Sequence, residues 1–156
     1  MIEFSVGPIE LDGRLQTAHD AILKVVARFA VRLESTLWYE EVDFCVLEFL
    51  RDALRWRDRV FTTEEPFVYA SAESDEPWLL RATRGVSGRW QFESPSALFR
   101  DSTGASNEEV EAAISRLAVA LSATIPDREG VVRLLQNSRA NEDLVAELKA
   151  HPSTRP

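Results

Sequence analysis

Leu23-Lys24-Val25-Val26-Ala27-Arg28-Phe29-Ala30-Val31-Arg32-Leu33, followed by Glu34-Ser35 and then Thr36-Leu37-Trp38-Tyr39-Glu40-Glu41, decides the fold class of this chain. The odd positions of 23–33 carry Leu23, Val25, Ala27, Phe29, Val31 and Leu33, whereas the even positions include Lys24, Arg28 and Arg32. Successive side chains of a strand point to opposite faces, so this period of two predicts a long half-buried strand. Glu34-Ser35 predicts a turn into a partner strand over 36–41, where the β-favouring Leu37, Trp38 and Tyr39 lie together.

Immediately afterwards the period changes. Phe44, Val46, Leu47, Leu50, Ala53 and Leu54 fall at helical spacing, with Glu48, Arg51, Asp52 and Arg55 on the opposite face. Asp43 stands where an N-cap carboxylate would meet the free N–H groups, and the helix is expected to run to about Asp58, with Trp56 covering the end of the core.

Upstream, Phe4 and Val6 are followed by Ile9 and Leu11, a shift of parity across Gly7-Pro8 that predicts an edge strand broken by a bulge. Asp12-Gly13 reads as a turn, and His19, between Ala18 and Asp20, as a surface turn residue. Downstream, 67–73, 78–84 and 89–93 read as three strands joined by the hairpin connections Ser74-Asp75-Glu76-Pro77 and Gly85-Val86-Ser87-Gly88, with Trp90 and Phe92 on the core face. After Pro95 the chain is linker-like up to the capping box Ser106-Asn107-Glu108-Glu109. That box opens a helix with the stripe Val110, Ala113, Ile114, Leu117, Ala118 and Leu121, ended by Pro126. Two short amphipathic segments follow, 131–136 and 142–150, the second capped by Asn141, and 151–156 is a polar tail.

Strands, helix, strands, helices in that order predict an α+β domain: a mostly antiparallel sheet of about five to six strands, helices on one face, and a helical C-terminus. The expected organisation is a domain over 1–126, C-terminal helices over 127–150 that either join it or form an appendage contacting a second copy, and the tail.

The counts exclude much chemistry. In 156 residues, Cys45 is the only cysteine and His19 and His151 the only histidines, so neither an intramolecular disulfide nor a structural zinc site can be built. Cys45 lies between Phe44 and Val46 and reads as a buried, inert thiol. There is no phosphate-binding Gly-rich loop, nucleophile elbow, paired-histidine zinc helix or calcium loop. No cofactor and no catalytic residue is expected. The first residues lack the pattern of a signal peptide, and no apolar run approaches the ~20 residues of a membrane span, so a cytoplasmic protein without a membrane partner is expected. Arginine outnumbers lysine 16 to 2, a skew that points to a GC-rich bacterial genome.

Net charge is −8, and all of the excess lies early: up to residue 80 there are 16 acidic and 8 basic side chains, beyond it ten of each. That leaves no basic stripe for nucleic acid in the first half. The acidic concentrations are Glu40, Glu41 and Asp43, then Glu64 and Glu65, then Glu73, Asp75 and Glu76. Such a face either only keeps the protein in solution or docks a basic partner. Trp78 follows Glu76-Pro77, and an exposed indole beside carboxylates can receive arginine or lysine by charge and cation–π contact. The candidate partner-binding residues are therefore Glu40, Glu41, Glu64, Glu65, Glu73, Asp75, Glu76 and Trp78. A carboxylate site for acid–base or magnesium chemistry is the enzymatic alternative, formed by Glu40, Glu73 and Asp75 if the strand carrying Glu40 lies beside the Phe67 strand.

The stretch Leu37-Trp38-Tyr39-Glu40-Glu41-Val42-Asp43-Phe44-Cys45-Val46-Leu47-Glu48-Phe49-Leu50, followed by Trp56 and then by Trp78 to Ser94, resembles small bacterial α+β domains of unassigned activity, some with an immunity-protein-like layout. The resemblance covers residues 33–95 and implies no catalytic residue. The expected function is a non-enzymatic binding protein, an immunity or inhibitor protein that neutralises a basic partner such as a nuclease toxin. The alternatives are a scaffold subunit that forms a homo-oligomer through its C-terminal helices, and the carboxylate-dependent enzyme.

Overall fold

The alternating segment becomes the centre of a four-stranded antiparallel sheet in the computed structural model, which describes residues 1–60, 62 and 64–151. Strands β1 (Ile2–Val6) and β2 (Glu10–Leu11) lie end to end along one side of β3 (Val25–Leu33), and β4 (Thr36–Cys45) lies along the other. Gly7-Pro8 interrupts that first edge as the shift of parity predicts, and Gly7 N–H donates to the Arg28 carbonyl at 2.9 Å. Glu34 and Ser35 both have positive φ, 48° and 67°, the backbone of a two-residue hairpin whose twist matches that of its strands. Val25, Ala27, Phe29, Val31 and Leu33 are buried, and on the opposite face Arg28 pairs with Glu40 at 3.6 Å.

β4 carries two bulges. Leu37 faces Arg32 and Tyr39 faces Val31, which leaves Trp38 between them, and Trp38 and Tyr39 are both fully buried. Further on, Glu41 faces Phe29 and Phe44 faces Ala27, so Val42 and Asp43 together oppose Arg28, and Asp43 takes a left-handed φ of 52°. Asp43 is therefore a bulge residue and not the expected N-cap. The strand runs on through Cys45, which still pairs with Val26, and α2 (Val46–Arg57) starts directly from it without a side-chain cap. Glu48 in the first turn supplies the acidic charge at that helix start.

A helix stands where a turn was expected. α1 (Ala18–Leu23) is opened by a capping box in which Thr17 Oγ1 accepts from Asp20 N–H and the Asp20 carboxylate accepts from Thr17 N–H. His19 lies exposed on it, and Leu23 belongs to the helix, not to the strand.

The later strands are shorter than expected and form their own antiparallel sheet, β5 (Phe67–Tyr69), β6 (Leu80–Arg84) and β7 (Trp90–Glu93), in that order. The sheet predicted as one is thus two, of four and three strands, joined by aromatic side chains both directly, Phe44 to Tyr69 at 5.3 Å and Phe4 to Phe92 at 6.4 Å, and through α2. Phe49 lies 4.9 Å from Phe29, 5.4 Å from Phe4 and 5.2 Å from Tyr69, ring centre to ring centre. Trp56 stacks on Phe67 at 4.7 Å and meets Trp90 edge-on at 5.1 Å.

α3 (Asn107–Thr124) has the predicted capping box of Ser106 and Glu109, and its stripe from Val110 to Leu121 is buried. α4 (Arg128–Leu135) is capped by Asp127, at φ 46°, whose carboxylate accepts from Gly130 N–H. A Cβ on residue 130 would stand 2.2 Å from that carboxylate, so the cap requires glycine there. A single 3-10 turn (Arg139–Asn141) leads to α5 (Glu142–Ala150). Asn141 does not cap it; its amide donates to the Leu135 carbonyl at 3.4 Å. Leu135, Leu144 and Leu148 are fully buried in the common core, and Arg57 of α2 pairs with Glu147 of α5 at 3.2 Å. His151, expected in a loose tail, has Nε2 3.1 Å from Glu147 Oε1, and its carbonyl accepts from Arg128; the remainder of that tail, 152–156, lies outside the described residues.

The linker-like stretch after Pro95 is held from both ends. The Trp38 indole donates to the Phe99 carbonyl and Leu98 N–H to the Trp38 carbonyl, each at 2.8 Å. Asp101, 6% exposed, accepts from Phe92, Thr103 and Gly104 N–H at 2.9–3.1 Å. Asp101→Ala strands those donors and is expected to cost about 3 kcal/mol of unfolding free energy, with Asp101→Asn intermediate because one oxygen survives; urea unfolding followed by circular dichroism measures both.

Acid should loosen the C-terminal helices. Burial alone would raise the Glu147 pKa, but hydrogen bonds and charge from Arg57 and His151 override it and hold the carboxyl below its ordinary 4.5. A carboxyl depressed in the folded state contributes stability above its unfolded pKa, and that contribution is lost as pH falls through the folded value. Unfolding measured between pH 7 and pH 3 should therefore show stability falling below about pH 4.5, with a shallower fall in Glu147→Gln.

Candidate functional site

At the end of the first sheet where β4 passes into α2, two adjoining cavities of about 350 and 230 Å³ share Asp43, Cys45 and Glu73 in their walls and form one groove. Glu10, Asp12, Asp43 and Glu73 line the first, and Glu41, Asp43, Glu73 and Asp75 the second, so six carboxylates from three separate stretches of chain converge. Among the described residues no lysine, arginine or histidine lines either cavity. Leu11, Leu23 and Val26 supply apolar wall on one side, Phe44 and Leu79 on the other.

Each segment is placed by local structure. β2 carries Glu10 to the rim beside the N-terminal end of β3. The bulge in β4 delivers Asp43, and Glu41, on the same face as Phe29, accepts the Tyr39 hydroxyl at 2.6 Å. Glu73 follows β5 on a turn anchored by a buried carboxylate: Glu48, 5% exposed, accepts the Tyr69 hydroxyl at 2.9 Å and Ala72 N–H at 3.3 Å. Within the turn, the Ser71 hydroxyl oxygen accepts from Glu73 N–H and that of Ser74 from Glu76 N–H.

The electrostatics oppose nucleophilic chemistry. Burial pushes the Cys45 thiol up; a hydrogen bond involving Ser71 offsets part of this, and the charges of Glu48, Glu73 and Asp12 add to it. The thiol donates to the Leu23 carbonyl at 3.4 Å. Burial, reinforced by Glu41, raises the Tyr39 hydroxyl, and burial with Glu48 raises that of Tyr69, so both stay protonated as donors. Among the described residues no group of three or more His, Cys, Asp or Glu side chains is arranged to hold a metal ion.

Of the acidic and aromatic residues singled out in the sequence, the groove gathers Glu41, Asp43, Glu73 and Asp75. Glu40 lies on the opposite face of β4, paired with Arg28. The trio of Glu40, Glu73 and Asp75 does not form: β4 does not pair with β5, and it turns Glu40 away from the groove in which its Glu41 and Asp43 meet Glu73 and Asp75. Glu64 and Glu65 are exposed ahead of β5, where Glu65 lies 4.0 Å from Arg59, and Glu76 is exposed beyond the groove. Trp78 is half-buried, with the Arg81 guanidinium of its own chain 4.6 Å from the ring centre, so the cation–π position is filled from within. Glu10 and Asp12 were missed, and Asp43, counted in the first acidic cluster, was assigned to a helix cap and not to the site. The first two flank a turn and the third had the pattern of a cap, and no spacing links them to Glu73.

Glu48→Ala is expected to cost about 2–3 kcal/mol, since it leaves a buried hydroxyl and a backbone N–H without an acceptor. Glu48→Gln should retain most of that. Amide hydrogen exchange at 70–74 should rise in the alanine variant before global unfolding does.

No helix among the described residues is long and apolar enough to cross a membrane. No curated protein and no solved structure matches the chain. Residues 3–127 match the family described as "Domain of unknown function (DUF7878)". The match takes in every residue of the groove and stops at the cap of α4, so that α4 and α5 lie beyond it. With four-fifths of its length inside that match, the chain belongs to the DUF7878 family of domains of unknown function.

Proposed function

We propose that the protein is a non-enzymatic binding protein whose acidic groove receives a basic segment of a protein partner, in the manner of an immunity or inhibitor protein that neutralises a basic toxin or nuclease in the cytoplasm. The observation that carries this reading is the convergence of six carboxylates with no basic side chain, among the described residues, in the walls. Carboxylates held around a concave, partly apolar surface concentrate negative potential there. Such potential speeds encounter with a cationic partner and disfavours acidic ones. A guanidinium entering the groove can take two oxygens at once, which a lone surface carboxylate on a mobile side chain offers only at an entropic cost.

The other readings have less support. The one thiol is raised away from reactivity, and Glu41 and Glu48 accept hydroxyls instead of standing free as paired acid and base. α4 and α5 turn Leu135, Leu144 and Leu148 into the core, so their apolar residues are accounted for by folding and do not call for a second copy.

Titration with an arginine-rich peptide, read by calorimetry at low and at high salt, tests the proposal. Asp43→Asn with Glu73→Gln neutralises the shared wall, and asparagine tolerates the left-handed backbone at 43. That pair should weaken binding about tenfold or more, as should high salt, whereas Glu64→Gln with Glu65→Gln should change it less than about twofold. Equal losses in the two double variants, or binding indifferent to salt, would overturn the groove as the binding face.

A further inference from the structure

On the other side of the Asp12-Gly13 turn from the acidic groove, a second cavity of about 400 Å³ lies between residues 11–15 and the first turns of α4. Leu11, Leu15, Val131 and Leu134 give it an apolar lining, and its charged residues are Arg14, Arg133 and Asp127. The Asp127 carboxylate is turned back onto its own helix, where it accepts from Gly130 N–H. Neither Arg14 nor Arg133 has an ion pair or hydrogen bond among the described residues; Arg32 and Arg100 are unpaired as well, but only Arg14 and Arg133 border this cavity. A protein of net charge −8 thus keeps two unpaired guanidinium groups at the edge of one apolar hollow.

We propose that this cavity binds a small amphiphilic carboxylate, with its hydrocarbon part against Leu11, Leu15, Val131 and Leu134 and its carboxylate paired with Arg14 and Arg133. The volume lies within the roughly 300–1,000 Å³ of small-molecule sites, and a mostly apolar lining with a few polar groups is their usual chemistry. Arginine matches a carboxylate geometrically, two N–H groups to two oxygens. Two guanidinium groups against one aspartate leave a single positive charge, which suits a monoanion better than a doubly charged phosphate. Gly13, at φ 95°, and Gly130 put no side chain into the space. The site shares only Leu11 with the acidic groove and is of opposite sign, and it does not rest on the function proposed for that groove.

Octanoate, 1-octanol and octylammonium, each titrated into the methyl-labelled full chain and followed by NMR, test the inference. Octanoate should move the methyl signals of Leu11, Leu15, Val131 and Leu134 and bind about tenfold or more tightly than octanol, with octylammonium weakest. Arg14→Ala with Arg133→Ala should lose that margin, and Arg14→Lys with Arg133→Lys should recover part of it. The comparison of the three ligands on the unaltered protein stands even if a double variant folds poorly. Equal affinity for octanoate and octanol, signal changes confined to other residues, or no change at millimolar ligand would overturn the proposal. Self-association of the ligand-free protein that is abolished by the double alanine variant would overturn it too, because a second copy would then be what fills the cavity.

Discussion

The stack of Phe29 on Phe44, ring centres 4.2 Å apart and planes within 9°, is the contact on which the rest of the structure depends. It brings the central strand against the residue where β4 is about to become α2. Side chains alternate along a strand, so in a regular β4 Phe44 would share the outer face with Glu40 and Val42. The extra residue at Val42-Asp43 reverses that parity and turns Phe44 inward. The helix that follows without a loop is then seated with Phe49 among Phe4, Phe29 and Tyr69, and the three-stranded sheet closes over it.

The same bulge makes the groove. A residue inserted into one strand of a ladder has no partner opposite, and a left-handed backbone at Asp43 suits aspartate better than most residues. Its side chain therefore joins the wall between the edge strand β2 and the turn after β5, and packing and carboxylate clustering come from one local irregularity. Glu48 anchors the other wall from inside the protein. The segment 10–15 has an acidic hollow on one side and an arginine-edged one on the other, so a single short stretch of backbone borders two surfaces of opposite sign.

Much of the fold is legible in the residues themselves. Val25 to Leu33 form the strand their alternation predicts, although Val26 and Ala30 on its other face are buried as well, Glu34-Ser35 turn the chain, Ser106 and Glu109 box the start of α3, and Leu144 and Leu148 keep the apolar face of α5. These signals survive because each depends on neighbours within a turn or two of chain. The structure departs from the local pattern where local signals compete. Thr17 and Asp20 cap a helix too short to show a period, and Asp43 has the composition of an N-cap but belongs to a strand that outlasts its hydrophobic pattern. The division into two sheets was also hidden, because strand spacing does not say which strands pair.

The sequence by itself determined most of the longer secondary elements, the α+β class, the scarcity of cysteine and histidine and the acidic bias of the first half, all of which follow from composition and short-range pattern. Only the tertiary structure decided which carboxylates meet. Residues 10, 43 and 73 stand together because strand pairing, a bulge and the anchored turn after β5 bring distant segments to one end of a sheet. Glu40 and Glu41 are parted onto opposite faces for the same reason that they are adjacent in sequence: a strand alternates its side chains.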